Sequence, residues 1–361
     1  MKKQPDIIFL TLAVALYIVG VLMIFSASPS LALKLGDSFY YLKRHIFYSI
    51  LGFFGLYYAL NLDLNKLKKW APWLLIISLG LLLSLNFPGV GKTMGGATRW
   101  MDLYFFSFQP AELAKFSMVL FLALTLSAKG EGIKDFFKGL LPQLVLLGVI
   151  LLVIIKQPDM GTAISIAGTS FIMFFIAGAR LGHLLFISGV GAAVVLGLSL
   201  SSPYRLRRLM AYLDPWSDPQ NVGFHIIQSL LAIGSGGLFG LGLGNSRQKF
   251  FYLPQQYADF IFAVLCEELG FIGAAGLILL FLALFIQGIR LASQTKDSFS
   301  QLLLAGIISM FAVQTFMNLM VVAGLLPTTG IPLPFISYGG TALIVNLFSV
   351  GLVLNVSRGV K

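Results

Sequence analysis

The chain has 361 residues, of which 58% are hydrophobic and 11% charged, with a formal net charge of +11. A mean hydropathy of +0.90 lies well outside the range of soluble domains, so water is not its main solvent. Its 25 basic residues are scattered among loops rather than gathered on one face, which argues against a nucleic-acid partner and for an anionic membrane surface.

Hydrophobic runs long enough to cross a bilayer recur at 7–26, 46–61, 71–86, 109–127, 140–155, 160–178, 183–200, 258–288, 301–325 and 340–357. No polar linker divides them. The expected fold is therefore an all-α integral membrane protein, one polytopic domain over 1–361 with about ten transmembrane helices. The first run follows Met1-Lys2-Lys3; it is too long for a signal-peptide core and lacks a small-x-small cleavage site, which predicts a retained anchor helix.

With the N-terminus inside, the inner loops collect Lys2, Lys3, Lys66, Lys68, Lys69, Lys129, Lys134, Lys138, Arg180, Arg290, Lys296, Arg358 and Lys361. The short outer loops hold only Lys34, Lys43, Arg44, Lys92, Arg99 and Lys156. The positive-inside bias thus puts both termini in the cytoplasm. The longest segment between spans, 201–257 between the seventh and eighth runs, then becomes a large extracytoplasmic loop carrying Arg205, Arg207, Arg208, Arg247 and Lys249.

Three patterns invite a wrong reading. Gly89-Val90-Gly91-Lys92-Thr93 resembles the end of a phosphate-binding loop, but Asn86 stands where that motif needs glycine, and no strand is expected before it. The glycines from Gly234 to Gly244 lack a surrounding βαβ unit, so close backbone packing or re-entrant turns explain them better than a dinucleotide. His45, His183 and His225 are too far apart in sequence for metal-ligand spacing, and the lone Cys266 forms no intramolecular disulfide.

Ionisable groups at membrane depth cost several kcal/mol by the insertion scales, so each is weighed singly. Glu112 and Lys115 lie three apart on the helix opened by Gln109-Pro110, where an internal ion pair is the plainest role. Lys156-Gln157-Pro158-Asp159 interrupts the fifth and sixth runs, as a tight turn or as a binding segment. Asp259 sits at the mouth of the eighth run, as a helix cap or a reactive carboxylate. Glu267 and Glu268 follow two turns later and could brace the bundle, relay protons or stay protonated. Arg99 and the basic residues of 201–257 could neutralise a phosphate-bearing group at the lipid surface.

Several longer segments carry a resemblance. They are Gly95-Gly96-Ala97-Thr98-Arg99-Trp100, Ser107-Phe108-Gln109-Pro110-Ala111-Glu112-Leu113-Ala114-Lys115, Lys156 to Thr162, Gln228-Ser229 to Gly237, Asp259 to Gly270, and Pro332 to Gly340 with Ser337 inside it. On these, nearly the whole chain resembles the SEDS family of FtsW, RodA and SpoVE, bacterial cell-wall polymerases. Gly242 to Lys249 with Phe250-Phe251-Tyr252-Leu253-Pro254 looks closer to the FtsW and SpoVE branch than to RodA. The chain departs from the pattern at Gln255-Gln256-Tyr257-Ala258 and at Cys266, and keeps the aspartate.

The resemblance implies peptidoglycan glycosyltransfer in cell division: lipid II, a disaccharide-pentapeptide on undecaprenyl pyrophosphate, is polymerised at the outer face of the bacterial cytoplasmic membrane, at the division septum. It implies Asp259 as the base that deprotonates the attacking hydroxyl, in an inverting displacement that needs one carboxylate rather than a pair. Arg99, Lys156, Arg247 and Lys249 are candidates to bind the pyrophosphate, with Mg2+ or Mn2+ as a candidate aid and no organic cofactor. Trp100, Gln109, Glu112, Lys115, Asp159, Gln228, Ser229 and Ser337 complete the candidate substrate site. The implied partners are other division proteins and a class B penicillin-binding transpeptidase, its membrane helix docked on the eighth and ninth runs. A lipid II flippase and a non-catalytic division scaffold are the rival readings, since buried ions and broken helices also mark transporters.

Overall fold

The computed structural model describes residues 4–87, 89–94, 97–102, 106–201, 203–221, 223–249 and 256–360. Ten long helices carry the fold: α1 (Ile7–Ala27), α2 (Tyr40–Asn61), α3 (Leu64–Ser84), α4 (Pro110–Lys129), α5 (Leu141–Lys156), α6 (Met160–Ile176), α7 (Leu181–Leu200), then α10 (Ile261–Gln294), α11 (Ser298–Val322) and α12 (Gly340–Val360). Two shorter helices, α8 (Pro203–Leu213) and α9 (Phe224–Ser235), lie between α7 and α10. Eight of the long helices have the length and composition of membrane spans, α2 and α6 falling outside that set. The protein is an all-α integral membrane protein, as expected.

Helix starts follow simple chemistry. The carboxylates of Asp6, Asp63, Asp159 and Asp297 accept backbone N–H bonds at the first turns of α1, α3, α6 and α11, satisfying donors that a helix leaves open. Pro110 opens α4, where its missing N–H costs nothing.

The bundle is layered by burial. In α12, 78% of the spanning window is buried, and in α11 72%, whereas α7 buries only 6% of its window. The core helices are therefore α4, α11 and α12, and α7 presents nearly all its surface outward. Large exposed apolar side chains such as Phe54, Trp73, Leu185 and Phe271 would be a liability in water and are at ease in lipid. Backbones approach closely where side chains are small: Gly351 of α12 faces the Leu56 carbonyl of α2, which any Cβ would strike.

Two features depart from the sequence reading. The stretch after α3 forms a three-stranded antiparallel sheet, β1 (Gly91–Met94), β2 (Ala97–Asp102) and β3 (Ser107–Phe108), closed by Gly91 opposite Met101 and Met101 opposite Phe108. The segment 201–257, read as a loop, holds both α8 and α9. These elements are too short for hydropathy windows to report. Gly95, Gly96, Val222 and Phe250 to Gln255 lie outside the described residues.

α10 is broken at Gly270, whose φ of +65° is a conformation glycine adopts readily. The segment around Gly240 packs into the break. Leu241 and Gly242 donate N–H bonds to the carbonyls of Glu267 and Glu268, at 2.9 and 3.0 Å, while Phe271 donates to Gly237 at 2.8 Å. Backbone groups freed by the kink are thus satisfied within the protein, as lipid requires. Of the glycine run, Gly236 and Gly240 supply close backbone packing, against the Cys266 and Glu268 carbonyls, while Gly237, Gly242 and Gly244 supply turns at positive φ.

Candidate functional site

At one end of the bundle the turn 256–260 delivers Asp259 to the start of α10. The backbone around it is held from several directions. Asn318 of α11 donates to the carbonyls of Asp259 and Ile331, both at 2.8 Å. Ser337 donates to the Ala258 carbonyl at 2.6 Å, and Tyr338 N–H to the Tyr257 carbonyl at 2.9 Å. Gln256 donates to the Lys249 and Ala27 carbonyls, and the Tyr257 ring stacks on Tyr41 with centroids 4.2 Å apart.

The carboxylate itself accepts no hydrogen bond among the described residues. It faces Gly330, where a Cβ would stand 3.6 Å from its Oδ2. A fixed backbone with an uncommitted, half-buried carboxylate is a preorganised arrangement for exchanging a proton with a bound molecule.

Its charge environment is built by three other elements. Arg99 of β2 pairs with Asp159 at 3.9 Å and donates to the carbonyls of Gln157 and Pro158, so the sheet is pinned to the α5–α6 turn. Arg208 of α8 donates to the Thr328 carbonyl at 2.9 Å. Burial pushes the Asp259 carboxyl up to about 6; Arg99 and Arg208 pull it down and Asp159 pushes it further up. A carboxyl in that range takes up and releases a proton near neutral pH.

Trp100 follows Arg99 in β2 and sits opposite Lys92 of β1, while Lys156 is exposed at the last turn of α5. Glu112 and Lys115 form a buried ion pair at 2.8 Å; Lys115 also donates to Gln314, whose amide donates to the Pro332 carbonyl. This chain reaches the 323–339 segment that borders Asp259. The Gln109 N–H donates to Thr341, tying the start of α4 to α12.

Ser229 donates to the Val322 carbonyl at 2.7 Å, beside the partly exposed Gln228 on α9. Arg247 is exposed, with its backbone N–H bound to Glu267. Lys249 belongs to a separate buried cluster: it pairs with Glu268 at 3.0 Å, and Glu268 also accepts from Ser26 of α1. Glu267 accepts from the Ser246 hydroxyl and the Arg247 and Gln248 N–H groups. These two carboxylates brace the segment 244–249 against α10.

Sequence reading did not single out Asn318 and Gln314, nor separate Arg208 from its basic neighbours. A signal was present for the first two: polar amides four residues apart inside the apolar run 301–325 share one helix face.

A family model described as cell cycle protein, FTSW_RODA_SPOVE, matches residues 6–361. Stage V sporulation protein E of Bacillus subtilis (strain 168) is 45% identical over 99% of this chain and 98% of its own length. The probable peptidoglycan glycosyltransferase FtsW of Geobacter sp. (strain M18) is 44% identical, covering 99% and 97%. Among solved structures, a chain from a study of the structural coordination of polymerization and crosslinking by a peptidoglycan synthase complex matches with a TM-score of 0.83 at 31% identity, covering 99% and 98%. The crystal structure of Thermus thermophilus rod shape determining protein RodA matches with a TM-score of 0.72 at 30% identity, covering 98% and 97%. The chain belongs to the FtsW, RodA and SpoVE family of cell cycle proteins.

Proposed function

We propose that this protein is a peptidoglycan glycosyltransferase that polymerises lipid II at the outer face of the bacterial cytoplasmic membrane during cell division. It works as one membrane domain with cytoplasmic termini, and 201–257 lies outside with the Asp259 end of the bundle. The observation that carries this reading is a clamped carboxylate, without a hydrogen-bond partner among the described residues and with a pKa of about 6, flanked by two guanidinium groups at the mouth of a membrane helix.

In this reading Asp259 removes the proton from the acceptor sugar hydroxyl as its oxygen attacks the anomeric carbon of the donor. The new C–O bond forms as the bond to the pyrophosphate oxygen breaks, with inversion. Negative charge gathers on the departing undecaprenyl pyrophosphate, and Arg99 and Arg208 stabilise it, with exposed Lys156 and Arg247 at the approach. Trp100, Gln109, Gln228 and the Glu112–Lys115 pair border the substrate path, while Asp159, Ser229, Lys249 and Ser337 fix the segments that carry it.

No group of three or more His, Cys, Asp or Glu comes together among the described residues. Of the acids about the site, Asp159 is paired with Arg99 and Glu112 with Lys115, which leaves Asp259. This donor set does not suit a protein-held divalent cation, so Mg2+ or Mn2+ would travel with the pyrophosphate. A class B penicillin-binding transpeptidase is the expected partner, seated by its membrane helix on α10 and α11.

The test is purified protein with that transpeptidase and lipid II, crosslinking blocked by a penicillin. Long glycan strands support the reading. Lipid II translocation across a vesicle bilayer without polymer would replace it with a flippase.

A further inference from the structure

The end of the bundle opposite Asp259 carries a cavity that the glycosyl-transfer reading leaves unused. It measures about 1000 Å3 and lies where the α2–α3 turn, the α10–α11 turn and the last turn of α12 meet, lined by Asn61, Asp63, Lys296, Asp297, Asn355 and Arg358. A second cavity, of about 690 Å3, shares Asn61, Leu62 and Asp63 with the first. It opens on the flank of α2 and α3, where Phe54, Tyr57, Tyr58, Lys66 and Trp70 line it. The two adjoin at Asn61, Leu62 and Asp63, so a polar chamber at the helix ends lies beside an aromatic wall facing the bilayer.

The charges of the chamber are unevenly committed. Asp63 caps α3 through the Asn65 N–H at 2.9 Å. Asp297 caps α11 through Ser300 and pairs with Lys68 at 3.6 Å. Arg358 is held by the Leu60 carbonyl and the Asn61 side chain. Lys66 and Lys296, both exposed, meet no partner among the described residues. Lys66, Lys68, Lys296 and Arg358 stand against Asp63 and Asp297, so the net charge of the site is positive.

The aromatic wall is equally uncommitted: Phe54 is 70% exposed, Tyr57 69% and Tyr58 54%. Rings at that level of a membrane helix, beside lysines, mark the boundary between acyl chains and headgroups. α2 rises about 1.5 Å per residue, so Phe54 to Tyr58 lie about 21–27 Å along it from its start at the Asp259 end, in the other leaflet. A ligand here is distinct from the polymerisation substrate.

We propose that these adjoining cavities bind one anionic phospholipid of that leaflet, with its acyl chains along Phe54, Tyr57 and Trp70 and its phosphate held by Lys66 and Lys296. The polar chamber accepts the headgroup beyond the phosphate, with Asn61 and the side-chain oxygen of Asn355 as hydrogen-bonding groups, the Asn355 amide N–H groups being held by the Ala59 and Leu62 carbonyls. The chemistry selects for a net negative lipid, because a zwitterionic headgroup brings its own cation into a site with surplus positive charge.

The experiment uses the full-length protein in detergent, loaded with equal phosphatidylglycerol and phosphatidylethanolamine, washed, and analysed by native mass spectrometry. Phosphatidylglycerol is retained preferentially by the unaltered protein. Each of Lys66→Gln and Lys296→Gln lowers that retention about fivefold, the worth of one ammonium near a lipid surface. Lys129→Gln, whose ammonium is bound to the Lys138 and Gly139 carbonyls on another loop, leaves it unchanged. A thermal midpoint for each variant separates loss of binding from loss of fold. Equal retention of both lipids, or a preference untouched by the two lysine variants, would overturn the proposal. So would displacement of the lipid by millimolar inorganic phosphate, or its release on adding the transpeptidase, which would assign the cavities to free anions or to protein docking.

Discussion

Asp259 combines two demands that usually conflict. Its backbone is fixed by Asn318 and Ser337, yet its carboxylate is left without hydrogen-bond partners in the described structure. Burial raises its pKa to about 6, and a carboxylate acts as a base only when deprotonated. The base form therefore grows with pH, and polymerisation is expected to rise through pH 6 and level off above it. Arg99 and Arg208 both lower that pKa, so removing either charge moves the midpoint upward. Rates of Arg99→Gln and Arg208→Gln across pH 5 to 8 check this; a downward or absent shift would contradict the charge environment described. Arg208→Gln is the cleaner probe, because Arg99 also pins β2 to the α5–α6 turn.

At the scale of elements, the break in α10 matters most. The kink at Gly270 admits the segment around Gly240, and Glu267 and Glu268 then receive the loop 244–249. Lys249 is the cation of that arrangement, and Lys249→Met leaves Glu268 buried without it. The expected cost is about 3–5 kcal/mol, read as a lower thermal midpoint in detergent. Lys249→Met with Glu268→Gln removes both charges and recovers part of the loss; a double variant no better than the single would contradict a direct pairing.

Most of the ten long helices were legible because apolar runs of bilayer length are a coarse, redundant signal, and the order of Asp259, Glu267 and Glu268 along one run already hinted at a charged helix mouth. What pairs with what was not legible. Lys249 and Arg99 look alike in sequence, and only the kink at Gly270 and the small sheet decide that one serves Glu268 while the other flanks Asp259. Short elements such as β1 to β3 and α8 escaped for a related reason: their stability comes from docking on the bundle end, which a local window does not contain.

For the molecule as a whole, orientation ties the pieces together. The Asp259 end carries the sheet, α8 and α9, and the opposite end carries Lys66 and Lys296. The lone cysteine, Cys266, is buried, so introduced cysteines report cleanly. Exposed Ser217→Cys is expected to react with a membrane-impermeant maleimide in intact cells, and exposed Ser293→Cys only after permeabilisation. The reverse pattern would invert the topology and put Asp259 on the wrong side for an outer-leaflet substrate. The central claim is that Asp259 is the base of glycan polymerisation, and comparing glycan product from unaltered protein and Asp259→Asn, each folded and bound to the transpeptidase, tests it most directly. Long strands from the first and a loss of at least about 100-fold in the second are predicted, whereas equal product from the two would remove Asp259 from the chemistry.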